Sequence, residues 1–116
     1  MKITLTMSQA LFLLKEKIGA DYASWNARSP YGSEDVKEER AKEFAEAIRI
    51  EEGRKYIKVI QGGSVWGFIM KADDAKFKAG DILKAASWAA PARNKPRGNI
   101  LAGDFSWVRW TGPEYL

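Results

Sequence analysis

The fold is decided by the stretch YIKVIQGGSVWGFIM, residues 56–70. Two runs rich in β-branched and aromatic residues flank Gly62-Gly63, a pairing typical of a tight hairpin turn. The stretch therefore predicts two antiparallel strands joined by that turn. Gly67 lies between two aromatic residues and has no side chain, so we expect a neighbouring ring or backbone to approach it closely.

Upstream of this hairpin the spacing of apolar residues is helical. A stripe of five residues recurs every three or four positions: Leu11, Leu14, Ile18, Tyr22 and Trp25. This spacing places the stripe on one face of a first helix, which we expect to lie in the core. Thr6 or Ser8 can cap its start. Gly19 costs roughly 1 kcal/mol relative to Ala, so we expect the helix to end or bend near it.

A second helix is predicted after the turn-forming loop at residues 29–33. Ser33 can cap it, and Glu34 and Asp35 complement the positive end of the helix dipole. Its apolar positions are Val36, Ala41, Phe44, Ala45 and Ile48. Two helices joined by a short loop predict an antiparallel or crossed helical hairpin.

The rest of the chain is predicted to be β-rich. Strand-like stretches occur at residues 48–51, 82–86 and 105–110, and residues 2–6 form either a short strand or an extended lead-in. With no repeats and no linker, residues 1–116 should form a single α+β domain. We expect the N-terminal helical hairpin to pack on an antiparallel β-meander of four to six strands, which could curl into a half-barrel.

Composition restricts the chemistry. The 116 residues include no Cys and no His, which excludes disulfides, thiolate nucleophiles, Cys/His zinc sites and a Ser-His-Asp triad. We therefore expect a protein that is not an enzyme and has no cofactor. The net charge of +4 favours anionic partners, although it also fits a role in solubility alone. No apolar run is long enough to span a membrane and no signal peptide stands out, which predicts a cytoplasmic location without membrane association.

The best functional candidate is the basic loop at residues 93–99. Flexible cations and amide groups suit phosphate oxygens, and Gly98 permits a close backbone approach. The predicted anion-binding or nucleic-acid-binding residues are Arg93, Lys95, Arg97, Asn99, Arg109 and Trp107. Trp88, Trp107 or Trp110 could stack a base. The alternative is a solvated loop whose charges oppose aggregation.

Strand alternation gives this candidate a structural test. If Val108 and Trp110 face the core, Trp107 and Arg109 lie together on the outer face, where they could contact a protein or a nucleic acid. The alternative interpretation places Trp107 beneath a helix or beneath the long loop.

Four acidic residues in the β half could form a carboxylate site: Asp73, Asp74, Asp81 and Asp104. Asp beside Gly is first of all a turn residue, as in Gly80-Asp81. A site for Mg²⁺ needs few protein ligands and stays open as a weak alternative.

The C-terminal part of the chain resembles small uncharacterised proteins of tailed bacteriophages. The similarity covers roughly the last 40 residues. It consists of the motifs GDIL (residues 80–83), Trp88 with APA (90–92), RGNI (97–100), WTGP (110–113) and the final YL. The resemblance implies a phage protein made in the cytoplasm of a bacterial host. Small phage proteins of this kind often bind a host component or block a host defence.

The sequence thus leaves three interpretations. The first is a non-catalytic module that binds nucleic acid or a nucleotide through the basic loop and a tryptophan. The second is a protein-binding inhibitor of a host defence or transcription factor, or a virion component, with Trp107 or Trp110 as the hot spot. The third is a carboxylate or metal enzyme. A homodimer through a sheet edge or through the helical faces is a further open alternative, because residues 57–60 would be an unsafe exposed edge.

Overall fold

A computed structural model describes residues 5–103 and 105–113 of the chain. Two helices precede a sheet that is antiparallel throughout and not closed into a barrel, so the predicted α+β class is confirmed. The elements are α1 (Met7–Ala27), α2 (Glu34–Glu46), β1 (Ile48–Glu52), β2 (Tyr56–Gln61), β3 (Ser64–Met70), β4 (Asp81–Leu83), β5 (Gly98–Asn99), a 3-10 turn (Ile100–Ala102), β6 (Val108–Arg109) and β7 (Gly112–Pro113).

Helix α1 begins with a capping box. The Thr6 hydroxyl accepts from the Gln9 backbone N–H at 3.1 Å, and the Gln9 side chain accepts from the Thr6 N–H at 3.0 Å. The helix continues through Gly19, so the expected end or bend at this residue is wrong. A Cβ built at Gly19 would lie 3.7 Å from the Cβ of Ala45 on α2, so the glycine lies at the contact between the two helices.

Helix α2 begins as predicted. Ser33 is its N-cap and accepts from the Val36 backbone N–H at 3.4 Å. The two helices are also joined by the buried Asn26, whose side chain donates to the Lys37 carbonyl at 2.8 Å. This bond satisfies a polar group that would otherwise destabilise the helix interface.

The main sheet has five strands in the order β1-β2-β3-β4-β5, and β6 pairs with β7 in a separate ladder. The hairpin predicted at Gly62-Gly63 joins β2 to β3, with Gly62 at a φ of 60°. Strand β2 is therefore paired on both sides, so the predicted risk of an exposed edge at residues 57–60 is absent.

Both faces of the sheet are covered, but by different structures. One face packs against the helices in a core that includes Leu14, Ile18, Val59, Ile69 and Ile82. The opposite face carries a smaller cluster, formed by Met70, Phe77 and Leu83 with the partly buried Tyr56. Among the residues that the structure describes after α2, only the 3-10 turn is helical, so the connections between β3 and β5 are what lie over this second face.

The close approach predicted at Gly67 is confirmed. A Cβ at this position would lie 3.1 Å from the Leu83 carbonyl oxygen and 3.5 Å from Cγ of Pro113. The absence of a side chain thus lets β4 and β7 both pack against the middle of β3.

The predicted strand at residues 105–110 is mostly wrong, since only Val108–Arg109 is paired. The strand predicted at 82–86 ends at Leu83. Of the predicted strand or lead-in at residues 2–6, residues 2–4 lie outside the described residues; the Leu5 N–H donates to the Leu101 carbonyl and Thr6 caps α1. Within residues 5–103 and 105–113, neither helix is long and apolar enough to cross a membrane.

Candidate anion-binding surface

The face of the sheet that lies opposite the helices, here called the basic face, carries cations stacked on aromatic rings. Its residues are Lys55, Tyr56, Lys58, Phe68, Lys76, Phe77, Trp88 and Arg93. Each of the four cations lies within about 6 Å of at least one ring centroid, the distance at which cation–π attraction operates.

The centre of the basic face is the pair formed by Lys58 and Trp88. Lys58 Nζ lies 4.5 Å from the Trp88 ring centroid and 5.9 Å from that of Phe68. Phe68 lies opposite Lys58 in the register of β2 and β3, so strand pairing fixes one side of this contact. The Trp88 side chain remains 52% exposed.

A non-regular hairpin holds Trp88 above the sheet. Backbone hydrogen bonds from Ala92 to Lys84 (2.7 Å) and from Ala86 to Ala90 (3.0 Å) close it, and Ala85 and Pro91 form a β-bridge. Trp88 lies at its tip. Pro91 excludes a regular central strand here.

Arg93 is the anchor of the basic face and not a solvated cation. Its guanidinium donates to the Asp74 carboxylate at 2.7 Å and to the Tyr56 hydroxyl at 2.5 Å, and lies 4.8 Å from the Phe77 ring centroid. The prediction that the Arg93 side chain is flexible and free to bind phosphate is therefore wrong. The hydrogen bond that Arg93 donates to Asp74 raises the pKa of this guanidinium further above its ordinary value.

Asp74 is the negatively charged partner of Arg93. Its carboxylate accepts from the backbone N–H groups of Phe77 (2.7 Å) and Lys76 (2.8 Å), in addition to Arg93 and the 3.4 Å ion pair with Lys55. These bonds, that from Phe77 first and that from Arg93 second, hold the pKa of Asp74 far below its ordinary value.

A cleft of about 210 Å³ opens beside Lys58. Its lining comes from the β1–β2 turn and from the Trp88 hairpin: Glu51, Glu52, Gly53, Arg54, Lys55, Tyr56, Lys58, Phe68 and Ala89. The cleft is shallow and largely polar, and it adjoins the exposed indole through Ala89.

The other loop cations have different surroundings. Lys95 is exposed, and its backbone N–H donates to the Asn94 side chain. Arg97 donates to the same Asn94 oxygen at 3.1 Å and to the Lys95 carbonyl, which folds the loop back on itself. Burial, and secondly the neighbouring Arg97, lower the pKa of Lys84 below its ordinary value.

Asn99 holds the structure together and does not project to solvent. Its amide donates to the Ala79 carbonyl and to the Asp81 carboxylate, both at 2.9 Å. Its oxygen accepts from the Leu101 backbone N–H at 2.8 Å. Because these contacts occupy the side chain, the prediction that Asn99 binds an anion is not supported by its geometry.

Trp107 is 7% exposed, which rules out the prediction that its ring stacks on a ligand. Its indole fills the space at Gly98, where any Cβ would overlap the ring. The alternative interpretation, with Trp107 beneath the long loop, matches this contact. Trp107 and Val108 are both buried, so the predicted alternation fails in this segment.

Arg109 and Trp110 lie on the helix side of the sheet. The Arg109 carbonyl accepts from the Trp66 indole N–H at 2.8 Å, and β6 contacts α1. The Trp110 backbone N–H donates to Asp21 on α1 at 2.9 Å. The structure therefore separates Arg109 and Trp107 from Arg93, and the six predicted site residues do not form one surface.

The acidic residues in the β half serve turns. Asp73 accepts from the Ala79 N–H at 2.8 Å, and Asp81 accepts from the Lys78 N–H at 2.9 Å. Asp104 lies outside the described residues. Among the residues that the structure does describe, no group of three or more Asp or Glu side chains is arranged to hold a metal ion.

Sequence reasoning missed Lys55, Lys58 and Lys76, which were treated as ordinary strand or loop residues. One signal was available: alternation along β2 places Tyr56 and Lys58 on the same face, opposite the apolar Ile57 and Val59. Lys58 contacts Trp88 only because the chain folds back over the 30 residues that separate them. No short sequence pattern indicates this contact.

Comparison with known families gives one match. A model described as a family of unknown function (DUF7717) matches residues 2–112. The chain belongs to this family. No curated protein and no solved structure matches the chain, so the family assignment carries no activity or partner with it.

Proposed function

We propose that this DUF7717 protein is a small non-catalytic module that binds an anionic partner, a nucleic acid or a nucleotide, on its basic face. The observation that carries the proposal is the pair of Lys58 and Trp88. An indole that is 52% exposed has a lysine ammonium 4.5 Å from its centroid. A base that stacks on this indole brings its phosphate within reach of the ammonium.

The energetics favour a single strand over a duplex. Stacking of one base on an aromatic ring contributes roughly 1–3 kcal/mol and does not depend on base identity. A duplex keeps its bases stacked on one another and therefore offers no free base face to the indole. Trp88 at the tip of its hairpin is the described tryptophan best exposed on this side of the sheet.

The cations around Trp88 supply the electrostatic part. Lys55 and Lys76 flank the Arg93–Asp74 pair, and Lys95 and Arg97 extend the charge along the loop. In this proposal Arg93 positions the loop, because its guanidinium is already bound to Asp74. The loop residues nearest to solvent, led by Lys95, contact phosphates in its place.

The proposed role is binding without catalysis, and its proposed setting is the cytoplasm of a phage-infected bacterium. The first statement is supported by the use of Asp73, Asp74 and Asp81 as acceptors for backbone N–H groups. The second is supported by the similarity of the C-terminal motifs to small tailed-phage proteins.

The test is a titration of tryptophan fluorescence with a short mixed-sequence single-stranded DNA at about 50 mM and about 200 mM salt. We expect quenching that weakens strongly at the higher salt, because cations that bind phosphates release counterions. A mononucleotide titrated in parallel separates a nucleotide site from a strand site. An absence of binding to both at the lower salt contradicts the proposal.

Matched variants locate the site. Trp88→Ala and Lys58→Ala should each weaken binding about 5- to 100-fold, the equivalent of one stacked base or one charged contact. Trp25→Ala and Lys15→Ala are the controls, since they remove an exposed tryptophan and an exposed lysine from α1. Equal losses in the control variants would place binding elsewhere.

A second candidate function is supported by a different observation. At the end of the helical hairpin, Trp25 and Trp110 lie 4.9 Å apart, and Trp25 and Tyr31 are 47% and 74% exposed. An open depression of about 390 Å³ is bordered by Trp25, Arg28, Pro30 and Tyr31. Exposed Trp, Tyr and Arg are the residues most often found as hot spots in protein interfaces.

This candidate function is that of a protein-binding inhibitor or a virion component. Its binding site would lie at the end of the helical hairpin instead of at Trp107. It predicts that Trp25→Ala and Tyr31→Ala abolish the retention of a bacterial protein on the immobilised chain at about 200 mM salt. Trp88→Ala should leave that retention unchanged. The opposite pattern would favour the basic face.

A further inference from the structure

Strand β1 forms one edge of the main sheet, and the positions of its outward groups follow from two hydrogen bonds. Gly53 N–H donates to the Tyr56 carbonyl at 2.8 Å, and Gly62 N–H donates to the Ala47 carbonyl at 3.0 Å. These two pairs continue the β1–β2 register by one position beyond each end of Ile48–Glu52. Because hydrogen-bonded pairs alternate along an antiparallel ladder, the backbone N–H and C=O groups of Arg49 and Glu51 bond inward to β2.

The backbone groups of Ile48, Ile50 and Glu52 therefore point to the outer edge. Within residues 5–103 and 105–113, no hydrogen bond to these N–H and C=O groups is present. Arg49 and Glu51 are exposed and form no ion pair in the same part of the chain. The edge thus offers an unpaired backbone and unpaired charges of both signs.

The sequence of this edge is complementary to itself. If two copies of β1 run antiparallel with Ile50 opposite Ile50, then Arg49 lies opposite Glu51 and Ile48 lies opposite Glu52. The two Arg49–Glu51 contacts are non-hydrogen-bonded pairs, whose Cα atoms approach to about 4.5 Å and whose side chains are closest. Opposite charges at such positions stabilise a strand pair, and like charges destabilise it.

We propose that β1 pairs with β1 of a second copy of this chain, in the register centred on Ile50, to form a dimer with one continuous ten-stranded sheet. In that register Ile48, Ile50 and Glu52 exchange backbone hydrogen bonds with their counterparts. The two-fold axis stands perpendicular to the sheet, so both basic faces lie on the same side. This inference goes beyond the proposed function and does not rest on it.

The opposite edge of the sheet is closed to such pairing. Strand β5 has only two residues, and the indole of Trp107 lies against Gly98 there. The fold therefore blocks one edge and leaves the five-residue β1 as the strand that a second copy can extend. An open-ended fibre is excluded by the same asymmetry, because a dimer uses up both β1 edges.

The experiment is a pair of charge reversals measured by sedimentation equilibrium over a wide range of protein concentration. Arg49→Glu places Glu opposite Glu in the dimer, and Glu51→Arg places Arg opposite Arg. We expect each variant alone to be at least tenfold weaker in dimerisation than the unchanged chain. An equimolar mixture of the two should regain dimers, because each Glu then lies opposite an Arg.

The mixture also controls for folding, since recovery of dimers requires both variants to be folded. Far-UV circular dichroism and thermal unfolding of each variant complete this control. Three outcomes overturn the proposal: an unchanged chain that stays monomeric at millimolar concentration, reversals that leave dimerisation unchanged, or a mixture that does not recover it. In the second outcome, substitution of the exposed Phe12 on α1 tests the helical face instead.

Discussion

The indole of Trp107 lies against the backbone of Gly98, in the space that any side chain at residue 98 would need. This contact joins the segment at residues 105–110 to the edge strand β5. It explains why a segment without regular secondary structure is nevertheless buried, since Trp107 and Val108 are 7% and 4% exposed.

Gly98→Ala should therefore destabilise the protein. The added methyl overlaps the ring and forces either the indole or β5 to shift, which typically costs about 1–3 kcal/mol in the free energy of unfolding. Urea denaturation followed by circular dichroism measures the loss. Gly63→Ala is the matched control, because nothing lies within 4 Å of a Cβ at Gly63. Equal effects of the two substitutions would contradict the packing described for Trp107.

Trp107 and Trp88, two of the tryptophans that were candidates for stacking a base, should differ sharply in their contribution to stability. Trp107→Ala leaves a large cavity in the helix-facing core and should cost about 3–5 kcal/mol. Trp88→Ala removes a ring that is 52% exposed and should cost less than about 1 kcal/mol. Thermal and urea unfolding of both variants test this ranking. A Trp88 variant as unstable as the Trp107 variant would show that Trp88 serves mainly to hold its hairpin in place.

Asn99 provides a similar contrast between structure and binding. Asn99→Ala removes hydrogen bonds to Ala79, Asp81 and Leu101 and leaves partly buried groups unsatisfied, at a cost of about 1–3 kcal/mol. Asn94→Ala, in the exposed part of the same loop, should cost less than about 1 kcal/mol. The measurement is the midpoint of urea unfolding. If the Asn99 variant unfolds like the unchanged chain but loses binding to single-stranded DNA, the prediction of an anion-binding role made from the sequence is restored.

The elements that local sequence determines were predicted well. Gly62-Gly63 fixes the β2–β3 hairpin because its turn type needs a positive φ, and Ser33 fixes the start of α2 because its hydroxyl satisfies an N–H of the first turn. The helical spacing of Leu14 and Ile18 likewise places both in the core. In each case the signal and its structural effect lie within a few residues.

The candidate site was predicted poorly because its contacts are non-local. Arg93 lies in a basic loop, and only the fold brings it to Asp74, 19 residues earlier, and Tyr56, 37 residues earlier. Trp107 is followed by another buried residue, so strand alternation gave the wrong face. Of the strand predicted at residues 105–110, only Val108 and Arg109 are paired, because β6 has only one short partner, β7.

The Asp74 carboxylate, which accepts first from the Phe77 N–H and secondly from Arg93, should make stability depend on pH in the acid range. The pKa of Asp74 in the folded protein lies far below its ordinary value of 3.8, which also applies to the unfolded chain. Between these two pKa values the unfolded state binds more protons, so the free energy of unfolding rises with pH. The contribution of Asp74 is therefore complete above about pH 5 and is lost as the pH falls through the acid range.

Asp74→Asn removes this titration. We expect the variant to be less stable than the unchanged chain at neutral pH and to lose less stability on acidification, so that the difference between the two free energies of unfolding narrows as the pH falls below about 4. Urea unfolding at a series of pH values between about 2.5 and 7 measures both curves. Glu39→Gln, on the exposed side of α2, is the control and should leave the curve unchanged. If the free energies of unfolding of the two proteins differed by the same amount at every pH, the difference would reflect packing and not charge. Asp74 would then not be the group whose protonation weakens the basic face.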